Sequence, residues 1–233
     1  MIRNLKALGL ALVAVFALSA LAASVSSADT FTSATSTTIL TGETDGASET
    51  IIKSQPEGGA NLKCKHASYA GTQSGTAVTS VRVHPKYSEC EIEGIGAATF
   101  DTQGCDYLLT GTTTNEDATT KIECTTGSEI LMTSSLCVLH FGSQEPLGGV
   151  HYTNLATSPT TVTVTTTVTG VHFTKTAGPG GNFCFLVPGG TEGVFTDKTI
   201  MRGYEDIASS QNSTTHEWTF TEGNQVNISV DSP

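Results

Sequence analysis

Apolar and polar residues alternate in short runs along most of the chain, which is the period-two pattern of β-strands. Such runs are separated by Gly, Asn, Asp, Ser and Pro, the residues that favour turns. No later stretch of about ten or more residues places its apolar positions at helical spacing. The pattern predicts an all-β protein whose short strands form a sandwich or barrel, and we expect antiparallel β-sandwiches. The clearest runs cover residues 77–83, 129–133, 137–141, 160–165, 217–220 and 225–230.

One of the predicted strands changes phase along its length. Val164 and Val168 fall on one face, but after Gly170 the apolar residues Val171 and Phe173 fall on the other. A phase change at a glycine inside a strand predicts a bulge or a tight bend at this point.

The N-terminal segment has a different pattern. A basic start with Arg3 and Lys6 precedes an uncharged apolar run over residues 7–23, and small residues follow at Ser26 and Ala28. This order is typical of a secretory signal peptide. An uncleaved anchor is the alternative, but a run of roughly 17 residues is at the short end for a membrane-spanning helix. We expect cleavage and export.

Cleavage after Ala28 defines the domain organisation, and residues 20–22 offer a second possible site. The signal peptide would be residues 1–28, followed by a flexible Ser/Thr-rich lead over 29–38 and an all-β mature region over 39–233. A Gly- and Pro-containing stretch at 142–149 is a soft boundary that could separate two sub-domains. No later segment is apolar and long enough to cross a bilayer, so the mature protein is expected to have no integral membrane segment.

The composition supports the β prediction and shows that the mature protein is acidic. Threonine, which favours extended backbone, makes up roughly one residue in six. The signal peptide holds two of the 11 basic residues and none of the 22 acidic ones, which leaves nine against 22 and a mature net charge of −13. This charge argues against nucleic acid as a partner and against electrostatic docking on anionic lipid. It favours a hydrated, monomeric secreted protein. A cell-surface or extracellular ligand is the kind of partner we expect.

Six cysteines, all after the signal peptide, predict disulfides in an exported chain. Two alternating segments around a turn-rich stretch at 112–117 suggest a hairpin in which Cys105 faces Cys124. The same register places both cysteines on one face with apolar neighbours, and directly opposed strand residues are within disulfide reach. The other opposed pairs in this register are Tyr107 with Ile122 and Leu109 with Thr120.

The remaining two bridges, Cys64–Cys90 and Cys137–Cys184, follow by elimination and by nearness in sequence. Metal ligation is the competing explanation for the cysteines. The sequence has no Cys-x-x-Cys, however, and Cys64 with His66 would supply two ligands at most. We therefore predict no metal site at the cysteines.

Motifs for catalysis are weak. There is no Gly-x-Ser-x-Gly nucleophile motif, and the six histidines are isolated from one another. His151 and His172 occupy equivalent places in the similar segments 149–153 and 170–174, so they are candidates for a shared surface site. The alternating acids at 89–93 fit a solvated strand face better than a pair of catalytic carboxylates. No catalytic residue is predicted.

Other ligand signals are also limited. Acidic loops at 43–49 and 115–117 offer oxygen ligands for a structural calcium ion, and no other cofactor is expected. Trp218 and Phe220 alternate with Thr219, which favours a core position for both rings over a glycan platform. Glycosylation sequons begin at Asn212 and Asn227.

Three cysteine-containing segments carry a resemblance. They read Val83-His-Pro-Lys-Tyr-Ser-Glu-Cys90, Gly104-Cys-Asp-Tyr107 and Lys121-Ile-Glu-Cys124. Together they resemble a pattern in uncharacterised exported bacterial proteins that have a signal peptide, Thr-rich strands and recurring cysteines. The resemblance implies export and no particular activity.

The sequence limits the function only to a few broad classes. We expect a secreted, non-enzymatic β-sandwich protein that acts at or outside the cell surface. An extracellular module that binds carbohydrate or a small ligand is the alternative, and a secreted hydrolase without a recognisable motif is the second alternative. Converging His or carboxylate groups in a pocket would favour catalysis, whereas an exposed aromatic strip would favour glycan binding.

Overall fold

A computed structural model describes residues 28–46, 48–54, 60–114, 116–181, 184–187 and 190–232. The expected signal peptide therefore lies outside the described residues except for Ala28. The described chain forms sixteen strands and one short 3-10 helix, η1. Their bounds are β1 Thr30–Ser33, β2 Thr37–Thr44, β3 Thr50–Lys53, β4 Asn61–Ser74, β5 Ala77–Val78, β6 Ser80–Ile92, β7 Gly96–Asp101, β8 Cys105–Gly111, β9 Asp117–Cys124, β10 Ile130–Ser134, β11 Cys137–Phe141, β12 Gln144–Asn154, β13 Thr161–Ala177, η1 Cys184–Leu186, β14 Gly190–Gln211, β15 Trp218–Val226 and β16 Ile228–Asp231.

All of the strand pairings are antiparallel, and three disulfides cross-link the strands. The structure thus confirms the predicted all-β, antiparallel and disulfide-linked fold class. Strands form because β-branched residues alternate with polar ones: along β13, buried valines at positions 162, 164 and 168 alternate with more exposed threonines.

The larger sheet closes on itself at both ends. Four long strands, β4, β6, β13 and β14, belong to both closed circuits. At one end β8, β9 and β12 lie between β6 and β13, and β2 lies between β14 and β4. At the other end β7, β10 and β11 lie between β6 and β13, and β3 lies between β14 and β4. Because β4 also pairs with β6, each circuit contains eight strands and encloses an interior.

The bulge predicted in β13 is present. Its register with β14 shifts between Thr169 and Val171, and Gly170 has a φ of +78°. The shift lets Val168 and Val171 both be buried although they are three positions apart, a spacing that would place them on opposite faces of a regular strand. A glycine is needed here because other residues rarely adopt a left-handed backbone.

Residues 29–38 do not form the flexible lead expected from the sequence. They contain β1, which forms a small sheet with β16 and β5. Phe31 in β1 is buried, and its ring meets that of Tyr152 edge to face with 5.3 Å between the centroids. Ile228 and Val230 of β16 join the same core cluster. The sequence pattern missed β1 because Phe31 is its only large apolar residue, and the strand is stabilised by partners distant in sequence.

The stretch at 142–149 mostly lies within β12, which pairs with β9 before it and β13 after it. Strands on both sides of this stretch belong to one hydrogen-bonded sheet. Among the described residues, no helix has the length and apolar character that crossing a lipid bilayer requires.

Candidate functional site

The inner face of β14 lines an apolar space inside the closed sheet. Every second residue of this part of β14 lines the space: Phe195, Asp197, Thr199 and Met201. Lys198 lies between them in sequence, but it is exposed on the outer face and pairs with Asp45. The cavity has a volume of about 80 Å³ and a mainly apolar lining. An eight-stranded closed sheet is just wide enough to be filled by side chains or to hold one small ligand.

Among the described residues that line this cavity, Asp197 is the one carboxylate, and it is 5% exposed. Its Oδ2 accepts hydrogen bonds from Tyr69 Oη at 2.7 Å and from Thr199 Oγ1 at 2.6 Å. Its Oδ1 accepts one from Thr50 Oγ1 at 2.9 Å. Three neutral hydroxyls therefore hold the group in place. Since a carboxylate has about four acceptor positions, Oδ1 has capacity for one more donor.

Tyr69 contacts this carboxylate, and the rings of Tyr87 and Tyr107 pack near that of Tyr69. Burial, followed by the charge of Asp197, raises the pKa of Tyr69 well above its ordinary value. Burial likewise raises the pKa of Tyr107 to about 12. Burial and the neighbouring phenols raise that of Tyr87, whose Oη lies 2.9 Å from Tyr107 Oη. All three phenols therefore remain neutral hydrogen-bond donors at physiological pH.

The arrangement combines an apolar wall with one oriented acceptor. Such a site favours a compact apolar ligand that carries a hydrogen-bond donor or a positive charge, because an unpaired buried carboxylate is costly. Asp197 is not among the site residues predicted from the sequence. A signal was present, since residue 197 shares a strand face with the apolar Phe195 and Met201.

A second polar cluster lies on the outer face of β8, around Asp106, which is 1% exposed. Nδ1 of His216 lies 2.9 Å from its Oδ2, and Nδ1 of His84 lies 3.2 Å from its Oδ1. Arg82 approaches within 3.6 Å and also pairs with Glu123. The turn between β14 and β15 supplies His216, so this cluster fastens that turn to the outer face.

The cluster leaves limited room for chemistry. His84 is buried, and its Nδ1 faces two acceptors, the carbonyl of Cys105 and the Asp106 carboxylate, so this nitrogen carries the hydrogen. Its Nε2 lies 3.4 Å from Thr102 Oγ1, which donates to the carbonyl of Pro85. His84 is thus held on its Nδ1 side, and Asp106 links it to His216 of the turn, which indicates a positioning role in the packing of the turn.

The disulfides are Cys64–Cys90, Cys105–Cys124 and Cys137–Cys184, and no cysteine is free. These are the same pairs that the sequence suggests. In the β8–β9 hairpin Cys105 faces Cys124 and Tyr107 faces Ile122, which is the register proposed from the alternation. Sulfur–sulfur bonds fit an oxidising environment.

His151 and His172 are not brought together. His151 faces Thr165 across the β12–β13 pair, and His172 lies seven residues further along β13, roughly 20 Å away at strand spacing. His151 instead pairs with Asp117 at 2.9 Å. The backbone of His172 exchanges hydrogen bonds with the side chain of Gln144. The likeness of the two segments reflects similar strands, since neither histidine shares a partner with the other.

The acidic loops considered for calcium have other partners. Asp45 pairs with Lys198 at 2.6 Å, and Asp117 pairs with His151. Glu116 accepts a hydrogen bond from Asn154 Nδ2. Within the described ranges no group of three or more His, Cys, Asp or Glu side chains is arranged to hold a metal ion. Residues 47 and 115, which complete these loops, lie outside those ranges.

Trp218 and Phe220 do not join the core, contrary to the expectation from their alternation. Both are partly exposed on β15, which pairs with β14 on one side, and their rings stack at 5.5 Å between centroids with 13° between planes. Alternation identified their common face correctly. It could not show that β15 lies outside the closed circuits.

Comparison with known proteins adds no functional assignment. No family model matches the chain, and no curated protein or solved structure is significantly similar to it.

Proposed function

We propose that this is a secreted, non-enzymatic binding protein that holds a small, largely apolar ligand inside its closed sheet. The observation that carries the proposal is the enclosed cavity of about 80 Å³ with Asp197 on its wall. An apolar pocket with few convergent polar groups and buried ionisable groups of altered pKa is the usual form of a ligand site.

Export is part of this proposal. The N-terminal pattern of the sequence supports a cleaved signal peptide. The three disulfides, which use every cysteine of the chain, support residence in an oxidising compartment. Such bridges also keep a closed sheet intact where no cellular chaperone is present.

The size and chemistry of the cavity define the ligand class. A dry cavity of about 150 Å³ accommodates benzene, so a smaller cavity suits a branched or short aliphatic group. The remaining acceptor position on Asp197 Oδ1 suits an ammonium or hydroxyl hydrogen. Short aliphatic amines and alcohols are therefore the appropriate probes.

The test is a titration of the isotope-labelled protein with ethylamine and with ethanol, both smaller than benzene, followed by amide resonances. We expect saturable shifts at residues of β13 and β14 for both probes, with tighter binding of the amine. In Asp197→Asn the preference for the amine should be lost. Because this variant could lose stability, Thr199→Val provides a milder change at the same carboxylate.

A matched pair of variants separates the cavity from the outer surface. Val164 lines the cavity, whereas its neighbour Thr165 is exposed. Val164→Leu should weaken binding of both probes at least several-fold by filling space, and Thr165→Leu should leave binding unchanged. Absence of saturable shifts in the wild-type protein, or equal binding by Val164→Leu, would refute the proposal.

A second candidate, carbohydrate binding, is favoured by one observation: the stacked, partly exposed rings of Trp218 and Phe220. Aromatic faces outside a core are suited to stacking on sugar rings. The test is retention of the protein on insoluble polysaccharides, with Trp218→Ala compared with wild type. Retention that is unaffected by Trp218→Ala would remove this candidate.

A further inference from the structure

Asp29 is completely buried, although it directly follows the bond at which the sequence predicts cleavage. Its backbone nitrogen donates to the carbonyl of Thr112 at 2.6 Å, and its Oδ2 accepts a hydrogen bond from the backbone nitrogen of Asp117 at 3.1 Å. Its Oδ1 is buried and has no hydrogen-bond partner. The carboxylate is therefore half satisfied.

The backbone of Asp29 cannot shift easily to relieve this. A Cβ placed on Gly111 would lie 2.1 Å from the carbonyl oxygen of Asp29, so the two chains are in close contact. Gly111 is a glycine for this reason, and the position of Asp29 is fixed by its neighbour in β8.

The charges around Asp29 make the orphan oxygen more costly. Among the described residues no lysine, arginine or histidine forms an ion pair with it. Its ionisable neighbours are Asp117, whose backbone nitrogen binds Asp29 and whose carboxylate pairs with His151, and Asp231, which faces Thr30 across the β1–β16 pair. A buried carboxylate without a cation is strongly unfavourable. The site thus lacks one positive charge.

We propose that cleavage of the Ala28–Asp29 bond supplies this charge, and that the new α-ammonium group of Asp29 pairs with its own buried carboxylate. Signal peptidase adds water across the peptide bond: Ala28 leaves as a carboxylate, and the nitrogen of Asp29 becomes an ammonium group. One of its hydrogens keeps the bond to the Thr112 carbonyl, and another is available to Oδ1. Maturation and folding are thereby coupled at one residue.

The pair also predicts a pH dependence. An α-ammonium has an ordinary pKa of about 7.7 to 8.0, and pairing with a carboxylate raises it in the folded state. The stabilisation is fully present below about pH 7.7 and is lost as the pH rises through the folded-state pKa.

The test compares two otherwise identical chains at pH 6.5. One begins at Asp29, made by cleavage of a fusion protein that leaves no extra residue, and the other begins at Val25. We expect the Asp29 chain to melt at least about 3 °C higher. The difference should shrink markedly at pH 10, and amino-terminal sequencing of the exported protein should find Asp29 first.

Variants assign the effect to the carboxylate. In Asp29→Asn the two chain lengths should melt at the same temperature, because no charge remains to be paired. Asp231→Asn changes an exposed acid on β16 and should preserve the difference. Equal melting temperatures of the two wild-type chains at pH 6.5 would overturn the proposal even if Asp29→Asn fails to fold. The inference rests on the export that is part of the proposed function, but the result does not depend on any ligand, so its failure is distinguishable from a failure of ligand binding.

Discussion

Tyr69 donates its phenolic hydrogen to Asp197 Oδ2 at 2.7 Å, in the interior of the closed sheet. The two residues lie on β4 and β14, which do not pair with each other where these residues meet, and 128 positions separate them in sequence. The contact therefore fixes the inner faces of distant strands relative to one another. It also prevents a buried carboxylate from being left without donors.

Removing this hydroxyl should destabilise the fold. Tyr69→Phe leaves Asp197 Oδ2 with Thr199 as its donor, and we expect the free energy of unfolding to fall by about 1–3 kcal/mol. Chemical denaturation followed by circular dichroism measures the change. The control is Tyr204→Phe, since the Tyr204 hydroxyl makes an exposed hydrogen bond to Gln225 and its loss should cost little. Equal effects of the two variants would contradict the role assigned to Asp197.

Stability should fall in alkaline solution for a defined reason. Burial raises the pKa of Tyr107 to about 12, whereas a tyrosine in the unfolded chain titrates near 10. The contribution of this residue is fully present below about pH 10. It is lost as the pH rises toward 12, because the unfolded chain releases protons that the folded protein retains.

The measurement is the free energy of unfolding at pH 9, 10 and 11. Tyr69 and Tyr87 are shifted in the same direction, so the wild-type slope should exceed the single-group limit of about 1.4 kcal/mol per pH unit. Tyr107→Phe should make the slope shallower. An unchanged slope in this variant would show that the phenol is accessible to water.

Two His–Asp contacts of equal length should contribute differently to the free energy of unfolding, because they differ in burial. His216 and Asp106 are 15% and 1% exposed, whereas His151 and Asp117 are 53% and 46% exposed; both contacts are 2.9 Å. His216→Ala should cost about 1–3 kcal/mol and speed amide exchange in the turn at 212–217. His151→Ala should cost less than about 1 kcal/mol.

Adjacent glycines provide a test of the backbone in β12. Gly149 has a φ of +102°, and a Cβ there would lie 2.0 Å from the carbonyl oxygen of Thr167. Gly148 has no atom within 4 Å of the corresponding position. Gly149→Ala should therefore lower the yield of folded protein or its melting temperature strongly, and Gly148→Ala should have little effect. Similar behaviour of the two variants would mean that β12 can rearrange.

The sequence by itself determined the local features. Alternation predicted the strands, the bulge at Gly170, and the hairpin that places Cys105 opposite Cys124, because each depends on residues close in the chain. The same alternation put Asp106 on the outer face of its strand. These properties follow from backbone period and turn chemistry alone.

Tertiary structure decided the rest. Asp106 is buried because a turn from the other end of the chain covers the outer face of β8, and Asp197 is buried because its sheet closes around it. The turn that covers Asp106 leaves no local signal, and the apolar neighbours of Asp197 indicate its face but not the closure of the sheet, since pairing between distant strands depends on the packing of all of them. The sequence therefore specified which faces the side chains take, and closure of the sheet specified which of those faces meet water.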